Sequence, residues 1–150
     1  MYPRTHLAID RRLCGEPLDP ESTAEGTARV GLTTVPEMAV DAAGLVHGGF
    51  VFGLADHAAM LAVNHPNVVL GSAAVRFLLP VTVGERLVAE ASLAETTGRK
   101  SRVLVEVRRE AAGDTSGAGE AVMSGELVCL TLDRHVLDGR QAAPPPAAGA

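Results

Sequence analysis

The chain has 150 residues, 47% of them hydrophobic and 21% charged, and a formal net charge of −5. This is globular composition, enough for one domain with a sizeable core. The acidic balance, the absence of Trp and the presence of only three Phe and one Tyr exclude a basic nucleic-acid binder and an aromatic stacking platform, and no apolar run approaches the ~20 residues that span a bilayer.

Residues Met1 to His6 lack the basic-then-apolar layout of a secretory leader. Cys14 and Cys129 match no zinc spacing and no CxxC motif, so they read as reduced thiols of a cytoplasmic protein. Residues 1–23 are turn-rich, with Pro3, Gly15, Pro17 and Pro20, and form an N-terminal extension holding a short helix over 7–13. The Thr- and Val-rich alternation of 24–35 predicts a strand. A loop over 36–45 contains the turn formers Asp41 and Gly44. A long helix runs from Gly48 to about Asn64 and stops at His65-Pro66-Asn67, because Pro cannot continue it.

After the helix, 68–79 reads as a strand running to Pro80. Leu87, Ala89, Ala91 and Leu93 share one face of the next strand. Thr97-Gly98 is a turn. Val103, Val105 and Val107 alternate with Leu104, Glu106 and Arg108. The stretch 113–119 reads as a hairpin loop, 121–132 as the last strand, and 139–150 as a disordered tail. Short turns between consecutive strands favour antiparallel pairing. The expected fold is α+β: one antiparallel sheet of five strands, within 24–138, wrapped around a single buried helix.

That helix carries the anomaly. Between Phe50 and Val63 only Asp56 and His57 interrupt the apolar run, and a helix apolar on all sides belongs in an interior. A carboxylate there is costly unless it is paired, hydrogen-bonded or used. Asp56 is a candidate nucleophile or general base. Gly48 and Gly49, at the helix start, let a carbonyl approach free backbone N–H groups, which is oxyanion-hole chemistry. Each reading has a duller competitor: Asp56 as a structural acid paired with Arg76, His47 as a cap, the glycines as packing devices, and His57, about 100° round the helix from Asp56, as packing or interface.

With Val46-His47-Gly48-Gly49 at the helix start, Leu54-Ala55-Asp56 within it, then Phe77-Leu78-Leu79-Pro80-Val81, Gly84-Glu85 and Gly98-Arg99-Lys100, the chain resembles the hotdog-fold acyl-CoA thioesterases over roughly residues 24–134. It looks most like the phenylacetyl-CoA and 4-hydroxybenzoyl-CoA thioesterase group. The resemblance implies hydrolysis of an acyl-CoA to a free acid and coenzyme A, with no metal and no cofactor, coenzyme A being part of the substrate. It implies that Asp56 acts as nucleophile or base, that the glycine after His47, Gly48, donates its N–H to the thioester oxygen, and that His47 stands with these two as a candidate catalytic residue.

The family often carries Asn or Gln six residues before that His; here the position is Asp41, which places a second carboxylate among the candidate substrate-binding residues. Ser72 is a candidate to orient water. Arg99, Lys100 and Arg102 form a basic cluster that is either a solvated strand edge or, as the resemblance implies for Arg99 and Lys100, a contact for coenzyme A phosphates.

Gly48 and Asp56 lie eight residues apart, about 12 Å along a helix, whereas a reacting carbonyl must sit about 3 Å from both. Two chains related by a two-fold axis solve this, so a homodimer with composite sites is expected. The resemblance adds dimers pairing into tetramers. Two other classes compete: a non-catalytic acyl-CoA-binding sensor, and a hotdog hydratase, for which Asp41 and His47 are an incomplete match.

Overall fold

Alternation with a period of two decides which strand residues turn inward. Val103, Val105 and Val107 are buried, while Leu104 between them is 47% exposed and Glu106 and Arg108 are only partly covered. The computed structural model describes residues 1–111 and 119–138. The expected hairpin loop, Gly119 apart, and the expected tail lie outside the described residues.

Helix α1 (Arg11–Cys14) and strand β1 (Glu16–Pro17) precede β2 (Thr27–Thr33), α2 (Gly48–Val63), β3 (Val68–Phe77), β4 (Arg86–Thr97), β5 (Lys100–Arg109) and β6 (Ala121–Thr131). The sheet has six strands in the order β1-β2-β4-β5-β6-β3, and every pair is antiparallel. Two expectations are corrected. The helix expected at 7–13 starts only at Arg11, where the Asp10 carboxylate caps the N–H groups of Arg12 and Leu13. The five expected strands are six, because Glu16 and Pro17 pair with Gly31 and Val30; two residues including a Pro leave no alternation to read.

β2 lies near one edge of the sheet and β3 forms the other edge, so α2 has to carry the chain across the sheet between them. Leu54, Ala55, Ala58 and Ala59 are fully buried against Val30, Leu87, Ala89, Val103 and Leu127. The alanines let the helix backbone sit close to the strands, and each fully buried Leu contributes about 1.5–3 kcal/mol. Irregularities at Leu70/Ser72, Leu93/Glu95 and Val107/Arg108 supply the extra bend and twist that curl a sheet around a helix.

Asn64 ends α2 in the left-handed conformation (φ 52°), with its N–H bonded to the Met60 carbonyl. Its side chain also holds the N-terminal segment, accepting from the Arg4 N–H at 2.7 Å and donating to the Tyr2 carbonyl at 3.0 Å. His57 adds a second tie. Its Nδ1 lies 3.0 Å from the Cys14 carbonyl, which can only accept, so Nδ1 carries the proton. Its ring stacks on His6 at 5.9 Å. His57 is thus a packing residue within the chain.

Candidate active site

The start of α2 is open by construction. His47 precedes it in extended conformation (φ −60°, ψ 130°) and makes no side-chain capping bond. The Phe50 N–H turns back to the His47 carbonyl at 3.0 Å; among the described residues the Gly48 and Gly49 N–H groups have no hydrogen-bond partner. The His47 imidazole folds over Gly49, so close that a Cβ there would meet Cδ2 and Nε2 at 3.0 Å. The Phe77 ring lies across Gly48, 3.3 Å from where a Cβ would stand.

Beside Gly48 is an apolar cavity of about 280 Å³, walled by Val51, Phe77, Leu79, Pro80 and Val122 among others. Its outer wall is braced. Arg109 donates to the Pro80 carbonyl at 2.6 Å and pairs with Glu85 at 2.8 Å. The other Glu85 oxygen accepts from the Thr82 N–H and hydroxyl at 3.2 and 2.7 Å.

Asp56 is half-buried on α2. Among the described residues its Oδ1, inaccessible to solvent, has no hydrogen-bond partner, and the carboxylate joins no ion pair. Arg76 is exposed on β3 and does not reach it, so the structural-acid reading has no partner. Burial raises the carboxyl pKa, and the nearby His57 opposes this only in part. Both cysteines feel the same carboxylate: burial first and Asp56 with it push the Cys129 thiol up to about 11, and burial, Asp10 and Asp56 raise that of Cys14. Neither thiol is therefore a ready nucleophile at neutral pH. Burial also lowers the His57 pKa.

The other sequence-predicted residues are dispersed. Of the whole set, only Gly48 lines the cavity. Asp41 is exposed, and its Oδ1 accepts from the Ala43 and Leu45 N–H groups at 3.0 and 3.3 Å, which makes it the pivot of an Asx turn. Ser72 is exposed on the edge strand just past its bulge. Arg99 is engaged by Asp133, and Arg102 by Glu95 and Glu126. Lys100 alone of that cluster has no ion pair among the described residues, so most of the cluster is neutralised locally; the expected strand edge is corrected, because β5 is paired on both sides, with β4 and β6. Sequence reasoning missed Val51, Val122 and the Arg109–Glu85 brace. The exposed run Phe77-Leu78-Leu79 (56%, 47% and 37% exposed) was the available signal, since three such residues ending an edge strand need a reason.

The model of the thioesterase superfamily matches residues 43–115, the segment from the loop before α2 through the end of β5. That segment belongs to the thioesterase superfamily. With its antiparallel sheet around one main helix, the chain has that superfamily's hotdog fold.

This hotdog chain is similar to an uncharacterized protein of Pyrococcus horikoshii, with 50% identity and a TM-score of 0.83 over 92% of this chain and 98% of that one. It is also 53% identical over 103 residues to a methylthioribose-1-phosphate isomerase of Aquifex aeolicus, covering 69% of this chain and 22% of that protein. It is 36% identical over 70 residues to the transcription factor FapR of Shouchella clausii, covering 47% of this chain and 37% of that protein. The chain thus spans well under half the length of either curated relative.

Proposed function

We propose that the protein is an acyl-CoA thioesterase acting as a homodimer in the cytoplasm. The observation that carries this is the buried, unpartnered Oδ1 of Asp56, on the same helix whose glycine N-terminus opens onto an apolar cavity. The cavity takes the acyl group. The Gly48 N–H receives the thioester oxygen as it gains charge. Asp56 either attacks the carbonyl carbon, expelling the coenzyme A thiolate and leaving a mixed anhydride that water opens, or takes a proton from the water that attacks. Thiolate leaves in both routes, and the products are a free acid and coenzyme A.

The two halves of the site lie about 12 Å apart on one helix, so they act across a pair of chains. Two features support the pairing. β3 is an edge strand whose residues 71–74 are exposed, a template for a second strand. Gly49, Phe52, Gly53 and Asp56 fall on one helical stripe that the described residues leave incompletely covered, and none of them lies within 4 Å of a Cβ at Gly53. A second α2 packed on that stripe brings Asp56 to a neighbouring Gly48.

Thiol release from short, long and aryl acyl-CoAs tests the reading, with wild type and Asp56→Ala in parallel. Hydrolysis by wild type that is lost in the variant is expected; full activity in Asp56→Ala refutes the assignment. The FapR relative favours a second reading, a ligand-binding module without turnover. Tight acyl-CoA binding with no thiol release from any substrate selects that one.

A further inference from the structure

At the opposite end of β3 from the acyl cavity lies an open pocket of about 530 Å³, within the range of small-molecule sites. Arg4, His6 and His135 supply its polar wall, and Leu7, Pro66 and Val68 its apolar one. Among the described residues no carboxylate lines it, although the chain as a whole carries a net charge of −5. Arg4 is exposed and has no ion pair among the described residues.

His6 has a left-handed backbone (φ 56°), and among the described residues the N–H groups of His6, Leu7 and Ala8 have no hydrogen-bond partner. Turns of this kind present successive N–H groups to anions. The His135 Nδ1 accepts from the Leu137 N–H at 3.0 Å, which leaves Nε2 as the proton-bearing nitrogen. A guanidinium, two imidazoles and unpaired N–H groups, with no acid among them, suit a phosphate.

Position gives this anion pocket its use. Val68 begins β3 and lines the pocket; Phe77 ends β3 and lines the acyl cavity. Within one chain the two are about 30 Å apart, nine steps at ~3.3 Å. A two-fold pairing of β3 with its own copy is antiparallel, and it lays the Val68 end of one chain against the Phe77 end of the other.

We propose that Arg4, His6 and His135 of one chain hold the nucleotide phosphates of the coenzyme A thioester whose acyl group occupies the cavity beside Gly48 of the second chain. This rests on the thioesterase and dimer reading above, and it moves phosphate recognition from the Arg99–Lys100 turn to the N-terminal segment.

The test is a binding measurement that needs no turnover. Adenosine 3′,5′-bisphosphate is titrated calorimetrically into wild type, Arg4→Gln, His135→Gln and Lys100→Gln, with inorganic phosphate as a comparison, and acyl-CoA kinetics are run on the same proteins. The side chains of Arg4 and His135 are exposed, and the Arg4 tie to Asn64 uses its backbone, so both variants keep the fold. Arg4→Gln and His135→Gln are each expected to weaken the bisphosphate roughly tenfold, the loss of one charge-assisted hydrogen bond, while Lys100→Gln leaves it unchanged. The same two substitutions are expected to raise KM with kcat unaltered.

No bisphosphate binding, unchanged affinity in both pocket variants, or loss in Lys100→Gln instead overturns the proposal. Inorganic phosphate binding as tightly as the bisphosphate also overturns it, by making this a free-phosphate site. Bisphosphate binding that depends on Arg4 and His135, in a protein that hydrolyses no acyl-CoA, upholds the pocket and refutes the hydrolase reading.

Discussion

Asp56→Ala should make the protein more stable as it makes it inactive. Two contributions add. Oδ1 is a buried acceptor without a donor, and leaving such a group unmade costs about 1–3 kcal/mol. Because Asp56 is only half-buried, the lower end applies, about 1 kcal/mol. Ala is also a better helix residue than Asp, by up to about 0.7 kcal/mol. The sum, roughly 1.5 kcal/mol, corresponds to a rise in Tm of about 3–6 °C for a domain of this size.

The pH dependence separates the two contributions. Burial raises the Asp56 carboxyl pKa in the folded chain. Below the ordinary carboxylate value, about 3.9, the group is protonated folded and unfolded, and the wild type bears no ionisation penalty. As pH rises past that value the unfolded chain ionises first, and the folded state loses relative stability. The loss is complete once pH exceeds the raised folded pKa. The advantage of Asp56→Ala should therefore grow from acid to neutral pH and then level off, whereas the helix-propensity part is constant.

Thermal denaturation of both proteins between pH 3.5 and 8, at one fixed protein concentration, measures this. Destabilisation of Asp56→Ala at neutral pH, or an advantage independent of pH, refutes the argument that Asp56 is an unpartnered functional acid.

Gly53→Arg should fold as well as wild type, because nothing among the described residues occupies the space beside Gly53. It should nevertheless run as a monomer in light scattering and lose hydrolysis; a fully active dimer would remove the α2–α2 contact from consideration. Gly125→Val meets backbone, with its Cβ placed 2.6 Å from the Ala74 carbonyl oxygen. It should lower stability by about 1–3 kcal/mol in chemical denaturation. Arg109→Leu releases the Pro80 carbonyl and Glu85, loosening the cavity wall, so KM should rise several-fold for the preferred acyl group while other acyl groups are less affected.

Strong periodicities made most of the fold legible. The period-two pattern of Val103, Val105 and Val107 gave β5 its inward face, and the apolar run after Gly48 gave α2 to within a residue of its end at Val63. β1 was illegible because it is an edge pairing of two residues, made by the backbone and not by side-chain pattern. The helix register of 7–13 was misjudged because apolar content there competes with a local cap, and the cap at Asp10 decides where four residues of helix begin.

In the site, Asp56 and Gly48 stood out by contradiction: an acid and glycines in an interior helix. Asp41 stands where the family often carries Asn or Gln, and Arg99 in a basic cluster; the fold spends both charges locally, on the Ala43 and Leu45 N–H groups and on Asp133. Whether a charged side chain is free depends on neighbours distant in sequence, which spacing does not encode.

On the proposed reading the chain is half a site. A helix N-terminus and an acid two turns further along are fixed about 12 Å apart by helix geometry, and no side-chain rearrangement within the chain removes that separation. Several groups without a partner among the described residues lie where a second copy would cover or complete them: the Gly48 and Gly49 N–H groups, the open side of Gly53 and the outer edge of β3, with Oδ1 of Asp56 left for the substrate. Buried polar groups in folded proteins are almost always satisfied. Exceptions that share one face of a helix and one edge of a sheet therefore indicate one missing partner, the second chain together with the substrate held between the two. A monomer that hydrolysed acyl-CoA at the dimer's rate, measured by dilution through the dissociation range, would defeat this reasoning, because it would require one helix to bring its own two ends to a single carbonyl.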